Sequence, residues 1–128
     1  MENKEKRNHK RVPVSFAMLY AVKLPIAVRM YMGGLERPAV ARNIGEGGLA
    51  LLTNFKIPVD SLLTVKFTLT NDVISNIRER TRSFELSGQV CYCMPEEKGA
   101  YLLGVSFISI VPTESLFISN YIKAHTLF

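Results

Sequence analysis

Apolar and polar residues alternate along most of the chain, which is the pattern of half-buried β-strands. The clearest run extends from Leu63 to Thr70 and is rich in residues that favour strands. Similar alternation, or short apolar runs between turn residues, predicts five further strands, over residues 13–23, 38–43, 48–53, 84–94 and 101–107. Short strands with tight turns indicate an all-β protein, an antiparallel barrel or sandwich.

The connections between these strands are less regular. Alternation resumes after Pro25 with Ile26, Val28 and Met30, which indicates an extra strand or a kink before a turn at Gly33-Gly34. Residues 55–61 are predicted to be irregular, and residues 71–82 a loop or a short helix. In that last segment Arg78, Arg80 and Arg82 would share one face if it is extended. Such a stripe fits a ligand surface or a solvated strand edge.

The period changes to that of a helix after Pro112. One stripe of this helix carries Leu116, Phe117, Tyr121, Ile122 and His125. We expect the helix to plug or flank the sheet, because core packing is the commonest use of an amphipathic helix.

Charge divides the chain into two parts. Residues 1–11 are polar and lack periodicity, and they carry +3 of the net charge of +5. We therefore expect a flexible basic arm over residues 1–11 and one β-barrel domain with its terminal helix over residues 12–128. A basic arm suits an anionic partner, and a solvated terminus is the alternative.

Several classes of function lack support in the sequence. We find no paired carboxylates, no serine in a nucleophile turn and no phosphate-binding Gly-Lys-Ser or Gly-Lys-Thr loop, so a binding module is favoured over an enzyme. Cys91 and Cys93 lack further metal ligands, and no metal or cofactor is expected. The arm lacks the aromatic stripe of a nucleic-acid binder.

The start of the chain and the lengths of its apolar runs bear on where the protein is found in the cell. The charged start, residues 1–6, has no apolar core of a secretory signal, and no window holds 18 uninterrupted apolar residues. We therefore expect a cytoplasmic protein without a membrane span.

The stretch from Asn43 to Gly48 is the first candidate binding element. Its three glycines predict positive φ values and close approach of a ligand to the backbone. The second candidate element is the arm, where Arg7 and Arg11 are four residues apart. A guanidinium is a planar fork that pairs with phosphate oxygens or with the O6 and N7 edge of guanine.

These two elements, in this order, resemble those of PilZ domains. Residues 7–11 match their RxxxR element, and residues 43–48 are similar to their (D/N)xSxxG element. Gly104 and Phe107 are similar to a glycine and phenylalanine pair near the end of that fold. The resemblance spans roughly residues 7–122, and it implies a six-stranded antiparallel split barrel with a C-terminal α-helix.

The resemblance also implies a ligand, the bacterial second messenger cyclic di-GMP. Arg7 and Arg11 would grip phosphate and guanine, Asn43 would bond a guanine edge, and Gly48 would allow close approach. Gly45, Lys6, Lys10 and Arg42 complete the candidate set. The implied function is a receptor that orders its arm on binding and signals to an unidentified effector protein in motility, biofilm or virulence regulation.

Gly45 stands where the family pattern has serine, so one hydroxyl contact is missing. A hydrogen bond to a charged group contributes about 1.5–3 kcal/mol, and its loss would weaken affinity roughly 10- to 100-fold. The alternative function is therefore a PilZ-like protein-interaction domain that works without nucleotide, for example in pilus or motility assembly.

Overall fold

The structure, a computed structural model, describes residues 10–71 and 80–126. Its strands, numbered in chain order, are β1 (Arg11–Leu24), β2 (Arg37–Gly45), β3 (Gly48–Thr53), β4 (Leu62–Thr70), β5 (Thr81–Pro95) and β6 (Tyr101–Ile108). Two α-helices are described, α1 (Ile26–Tyr31) and α2 (Pro112–Thr126), and a 3₁₀ turn spans Glu97–Gly99.

The strands close into one antiparallel barrel in the order β1-β2-β3-β6-β5-β4, with β4 paired to β1. Strand β4 shows why the sequence folds this way, since Leu63, Val65, Phe67 and Leu69 all point inward and are buried. Alternation places these side chains on one face of the strand, and the ring buries that face. The predicted all-β barrel is confirmed, and the sandwich alternative is wrong.

The alternation after Pro25 belongs to a helix, which corrects the expected strand or kink. The Pro25 carbonyl accepts hydrogen bonds from the backbone N–H groups of Val28 and Arg29, at 3.1 and 3.0 Å, and so closes the first turn. Ile26 and Met30 are exposed. Val28 is half-buried against the core. Because the alternation covers so few residues and packs only this one of its three apolar positions against the core, it does not specify a strand.

Helix α2 packs on the barrel, as its period predicts. It buries Ile118, Tyr121 and Ile122, and the ring of Phe117 meets that of Phe84 edge to face at 5.9 Å. Leu116 was expected on the inner stripe but is 60% exposed. Its place inside is taken by Ile118, which shifts the buried stripe around the helix.

The antiparallel order gives the barrel two distinct ends. At the end that we call the hairpin end, the first residue of β1, Arg11, pairs with Gly45, and Gly45 pairs with Gly48. At the opposite end, which we call the α1 end, β1 finishes at Leu24 and β2 begins at Arg37, with α1 between them. Among the described candidates, Arg11, Asn43, Gly45 and Gly48 therefore lie at the hairpin end.

The predicted boundary between arm and barrel falls at residue 11, and β1 begins at Arg11. Residues 1–9 lie outside the described part of the chain, so the division into arm and barrel stays a prediction. In the part that the structure describes, neither helix has the length and apolarity needed to cross a membrane. Within residues 10–71 and 80–126, no three His, Cys, Asp or Glu side chains form a potential metal site.

Candidate functional site

Strand pairing brings Arg11 to the glycine-rich hairpin. Arg11 lies opposite Gly45 in the β1–β2 ladder, and the register shifts by a bulge between Pro13 and Phe16. Arg11, the last residue of the first predicted element, and the second element are separated by more than 30 residues of chain and therefore meet at one end of the barrel. Arg11 was expected in a flexible arm, and the structure instead makes it the first residue of a strand.

The Arg11 side chain is oriented by Asn43. Its Nη1 donates a hydrogen bond of 3.1 Å to Oδ1 of Asn43, and both side chains are half-buried. A hydrogen bond from a charged donor is stronger than one between neutral groups, so it holds the guanidinium near the hairpin. Two candidates of the sequence are thus bonded to each other.

The hairpin itself is fixed to the barrel at its tip. Gly45 and Gly48 are paired, and Glu46 and Gly47 form the turn between them. The backbone N–H of Phe107, on β6, donates a hydrogen bond of 2.8 Å to the carbonyl of Gly47. Sequence reasoning missed this anchor, and the resemblance of Gly104 and Phe107 was the signal that could have found it.

Glycine is needed at position 48 because a side chain there would collide with two neighbouring groups. A Cβ built at Gly48 would lie 2.1 Å from the Val105 carbonyl oxygen and 3.0 Å from Nη2 of Arg11. The Arg11 guanidinium therefore lies over a position without a side chain. Gly48 does not have a positive φ, so the expected conformational reason is wrong for this residue, and the groups that lie close to it belong to the protein itself. Close approach of a ligand at Gly48 stays a prediction.

Gly45 is crowded by the start of β1. A Cβ built at Gly45 would lie 2.6 Å from the backbone oxygen of Lys10 and 2.9 Å from Cγ of Arg11. Gly45, like Gly48, does not have a positive φ, which corrects the same expectation there. Because a serine side chain has no room in this arrangement, the departure from the (D/N)xSxxG pattern is coupled to the position of Arg11.

The remaining candidates are placed as follows. Lys10 is exposed immediately before β1, and Arg42 is exposed on β2 beside Asn43. Arg7, Lys6 and Arg78 lie outside the described residues. Arg82 lies on β5, with its guanidinium 6.0 Å from the centre of the Phe84 ring, and Arg80 directly precedes that strand. The structure therefore brings together Arg11, Asn43, Gly45 and Gly48.

A second polar cluster lies at the α1 end. The buried Tyr20 hydroxyl and Thr53 Oγ1 are 2.6 Å apart, and Arg37 neighbours them with its guanidinium 5.2 Å from the centre of the Phe55 ring. Burial raises the pKa of Tyr20 above its ordinary value of 10.0, and the hydrogen bond with Thr53 and the charge of Arg37 oppose that shift. This cluster is internal, so we assign it to stability rather than to ligand binding.

Several solved structures have the same fold as this chain. The inhibitor of motility MotI/DgrA of Bacillus subtilis matches with a TM-score of 0.70 and 14% identity, over 99% of this chain and 54% of that one. The PilZ domain of Escherichia coli YcgR, solved with c-di-GMP, matches with a TM-score of 0.60 and 12% identity, over 96% of this chain and 93% of that one.

The YcgR protein of Escherichia coli in complex with c-di-GMP matches with a TM-score of 0.55 and 14% identity, over 94% of this chain and 46% of that one. This chain thus spans about half the length of MotI/DgrA and of that YcgR chain. No curated protein matches the sequence.

A family comparison covers nearly all of the chain and includes both candidate elements. The family model of the PilZ domain matches residues 5–124. The described barrel, its terminal helix and the meeting of Arg11 with the hairpin are consistent with that match. The chain therefore belongs to the PilZ domain family.

Proposed function

We propose that this PilZ domain is a receptor for cyclic di-GMP, which binds at the hairpin end and changes the surface offered to an effector protein. The observation that carries the proposal is the hydrogen bond between Arg11 and Asn43, which places a guanidinium over Gly48. MotI/DgrA is named for motility inhibition and YcgR was solved with c-di-GMP, and both support this direction. The process regulated is accordingly motility, biofilm formation or virulence.

The chemistry of the site suits a guanine dinucleotide. The guanidinium of Arg11 can pair with phosphate oxygens or with guanine O6 and N7, and its flat face can stack on a purine. The missing Cβ at Gly48 leaves room for that guanidinium to lie over the hairpin. Arg7 supplies the second fork in this proposal, and Lys6, Lys10 and Arg42 supply further positive charge.

Ligand binding involves an exchange of hydrogen bonds at Asn43. Its Oδ1 accepts from Arg11 before the ligand arrives, and a guanine N–H takes over that acceptor when the ligand binds. The Arg11 side chain is therefore oriented in advance, which lowers the entropic cost of fixing a long side chain. Because Arg11 already belongs to β1, the ordering on binding concerns the residues that precede it.

Two further parts of the proposal follow from this role. The domain acts by binding and not by catalysis, with no cofactor beyond the ligand. We place both the domain and its ligand, the second messenger, in the cytoplasm.

Calorimetric titration with cyclic di-GMP tests the proposal. We expect binding by the wild type and a loss of at least roughly 10-fold in affinity for Arg11→Ala, because a charge-assisted hydrogen bond is removed. Arg7→Ala should weaken binding comparably. Arg29→Ala is the matched control, because Arg29 is an exposed arginine on α1 at the opposite end of the barrel, and its affinity should equal that of the wild type.

The same titration separates the alternative, an interaction domain that works without nucleotide. The crowding at Gly45 favours this alternative, because the serine hydroxyl of the family pattern cannot be present. A folded wild-type protein that gives no heat at high micromolar ligand contradicts the receptor. Equal binding by wild type and Arg11→Ala contradicts the assigned site.

A further inference from the structure

The most exposed large apolar side chains of the described residues are on and beside α1. Met30 is 74% and Tyr31 77% exposed, and Leu24, Ile26 and Leu35 are between 46% and 63% exposed. Helix α1 buries none of its residues. We call these five residues, Leu24, Ile26, Met30, Tyr31 and Leu35, the apolar knob. Large apolar side chains exposed together on one short segment are typical of an interaction site.

The segment that carries the apolar knob has charges of one sign. Residues 23–35 contain Lys23 and Arg29 and no acidic residue, and both cations are exposed. The next residue, Glu36, forms an ion pair with Lys66 on β4, which compensates its charge. The acidic pair Glu96 and Glu97 lies in the β5–β6 turn at the same end of the barrel, and β3 separates that turn from β2. Within residues 23–35 the apolar knob is therefore accompanied by cations alone.

Arg29 and two of the apolar side chains also line the same depression of the surface. Arg29, Ile26 and Met30 line a shallow cavity of about 420 Å³ together with Gly33 and Gly34. A polar, negatively charged group beside an apolar chain fits such a depression. Phospholipids with anionic headgroups carry both parts in one molecule.

We propose that the apolar knob is a docking site for an anionic phospholipid surface. Met30 and Tyr31 enter the boundary between headgroups and acyl chains, and Lys23 and Arg29 pair with headgroup phosphates. A tyrosine suits this boundary because its ring is apolar and its hydroxyl is polar. The inference concerns the α1 end and does not depend on nucleotide binding at the hairpin end.

A second copy of the chain fits the apolar knob less well. A two-fold interface sets the same surface patch of both copies against each other. Lys23 and Arg29 of one copy would then approach the same cations of the other, and this repulsion opposes association. A deformable anionic surface avoids that conflict and also accepts a short helix that leaves Ile26, Met30 and Tyr31 exposed.

Fluorescence provides a direct test, because the chain contains no tryptophan. Tyr31→Trp introduces a single reporter on the knob, and Leu116→Trp is its matched reference on α2, where Leu116 is 60% exposed. With vesicles of phosphatidylcholine and phosphatidylglycerol in equal parts, we expect a blue shift of Tyr31→Trp emission and none for Leu116→Trp. Pure phosphatidylcholine vesicles should give little shift.

Two variants in the Tyr31→Trp background then separate charge from apolar contact by vesicle sedimentation. Arg29→Glu should lower the partition coefficient roughly 10- to 30-fold, since it exchanges attraction for repulsion. Met30→Ser should lower it roughly 10-fold. Lys123→Glu, an exposed cation on α2, is the charge control and should have a much smaller effect than Arg29→Glu.

Three outcomes overturn the proposal. The first is no spectral shift with the anionic vesicles. The second is equal partitioning of Arg29→Glu and its Lys123→Glu control. The third is a blue shift without vesicles that grows with protein concentration, because the knob would then be an interface between copies.

Discussion

The two ends of the barrel contain glycine turns that use the residue for different reasons. At the α1 end, Gly33 and Gly34 have φ values of 78° and 65°, and a Cβ at Gly34 would meet nothing within 4 Å. At the hairpin end, Gly45 and Gly48 do not have positive φ values, and a Cβ there would collide with backbone oxygens. One turn needs glycine for its backbone conformation, and the other needs it for space.

This difference matters for function because a glycine that is needed for space is in contact with neighbouring strands, whereas a glycine that is needed for its φ value affects its own turn. A change at Gly34 affects its own turn. A change at Gly45 or Gly48 displaces β1, β6 or the Arg11 side chain, which are the parts that build the candidate site. The hairpin end should therefore respond to small substitutions in both stability and ligand binding, whereas the α1 turn should respond in stability alone.

The largest effect is expected for Gly48→Ala. The added methyl group would meet the Val105 carbonyl at 2.1 Å, and neither strand can move away easily because β3 is paired on both sides. We expect a loss of about 3 kcal/mol or more in the free energy of unfolding, measured by urea denaturation. A loss below about 1 kcal/mol would mean that space is not the reason for this glycine.

Gly45→Ser ranks second, and it tests whether the hydroxyl of the family pattern can be restored. Its collision is with Lys10, which lies outside β1 and can shift, so we expect a smaller loss of about 2 kcal/mol in the free energy of unfolding. Because Arg11 has to move with Lys10, we also expect weaker binding of cyclic di-GMP by calorimetry.

Two comparisons sharpen the Gly45 result. Gly45→Ala has the same collision without a hydroxyl, so the difference between the two variants isolates the contribution of the hydroxyl group. Tighter binding by Gly45→Ser than by the wild type would show that the missing contact outweighs the displacement of Arg11, and would refute the coupling inferred here.

The barrel could be predicted from the sequence where burial has a strict period. The inward residues of β4, from Leu63 to Leu69, are the same in prediction and structure, because a closed ring buries one face of each strand. The failure after Pro25 has the opposite cause. Three apolar positions, Ile26, Val28 and Met30, are too few to distinguish a strand from a helix when only Val28 packs against the core.

The residues of the candidate site could be predicted from the sequence, but their arrangement could not. The arginines, Asn43 and the glycines follow from the resemblance, but the bond between Arg11 and Asn43 depends on the β1–β2 register and on a bulge after Pro13. The reason for Gly48 lies on β6, whose pairing with β3 is not encoded locally. Local sequence therefore suggested positive φ where strand packing was the cause.

Gly34→Ala tests the α1 turn and should have a smaller effect than either hairpin variant. Alanine in the left-handed region costs about 1–2 kcal/mol, and no clash adds to this cost. Thermal or urea denaturation should show that loss, while the affinity for cyclic di-GMP stays at the wild-type value. A neutral or stabilising substitution would indicate that the turn readily adopts a negative φ.

Tyr20→Phe has the smallest expected effect, and it tests whether the α1 end depends on its internal polar cluster. Removing the hydroxyl deletes the hydrogen bond with Thr53, whose Oγ1 still accepts from the backbone N–H of Phe55 at 3.4 Å. Because Thr53 Oγ1 keeps that partner, the loss in the free energy of unfolding at pH 7 should be about 1 kcal/mol.

The stability of the wild type and that of Tyr20→Phe should depend differently on pH. Because burial raises the pKa of Tyr20 in the folded protein, its contribution to stability is complete below the ordinary value of 10.0 and declines as the pH rises through that value toward the folded pKa. Wild-type stability should therefore fall more steeply above pH 10 than that of Tyr20→Phe, in urea denaturation at a series of alkaline pH values. Parallel curves would show that Tyr20 ionises as easily in the folded barrel as in the unfolded chain, and that the cluster at the α1 end does not shield it.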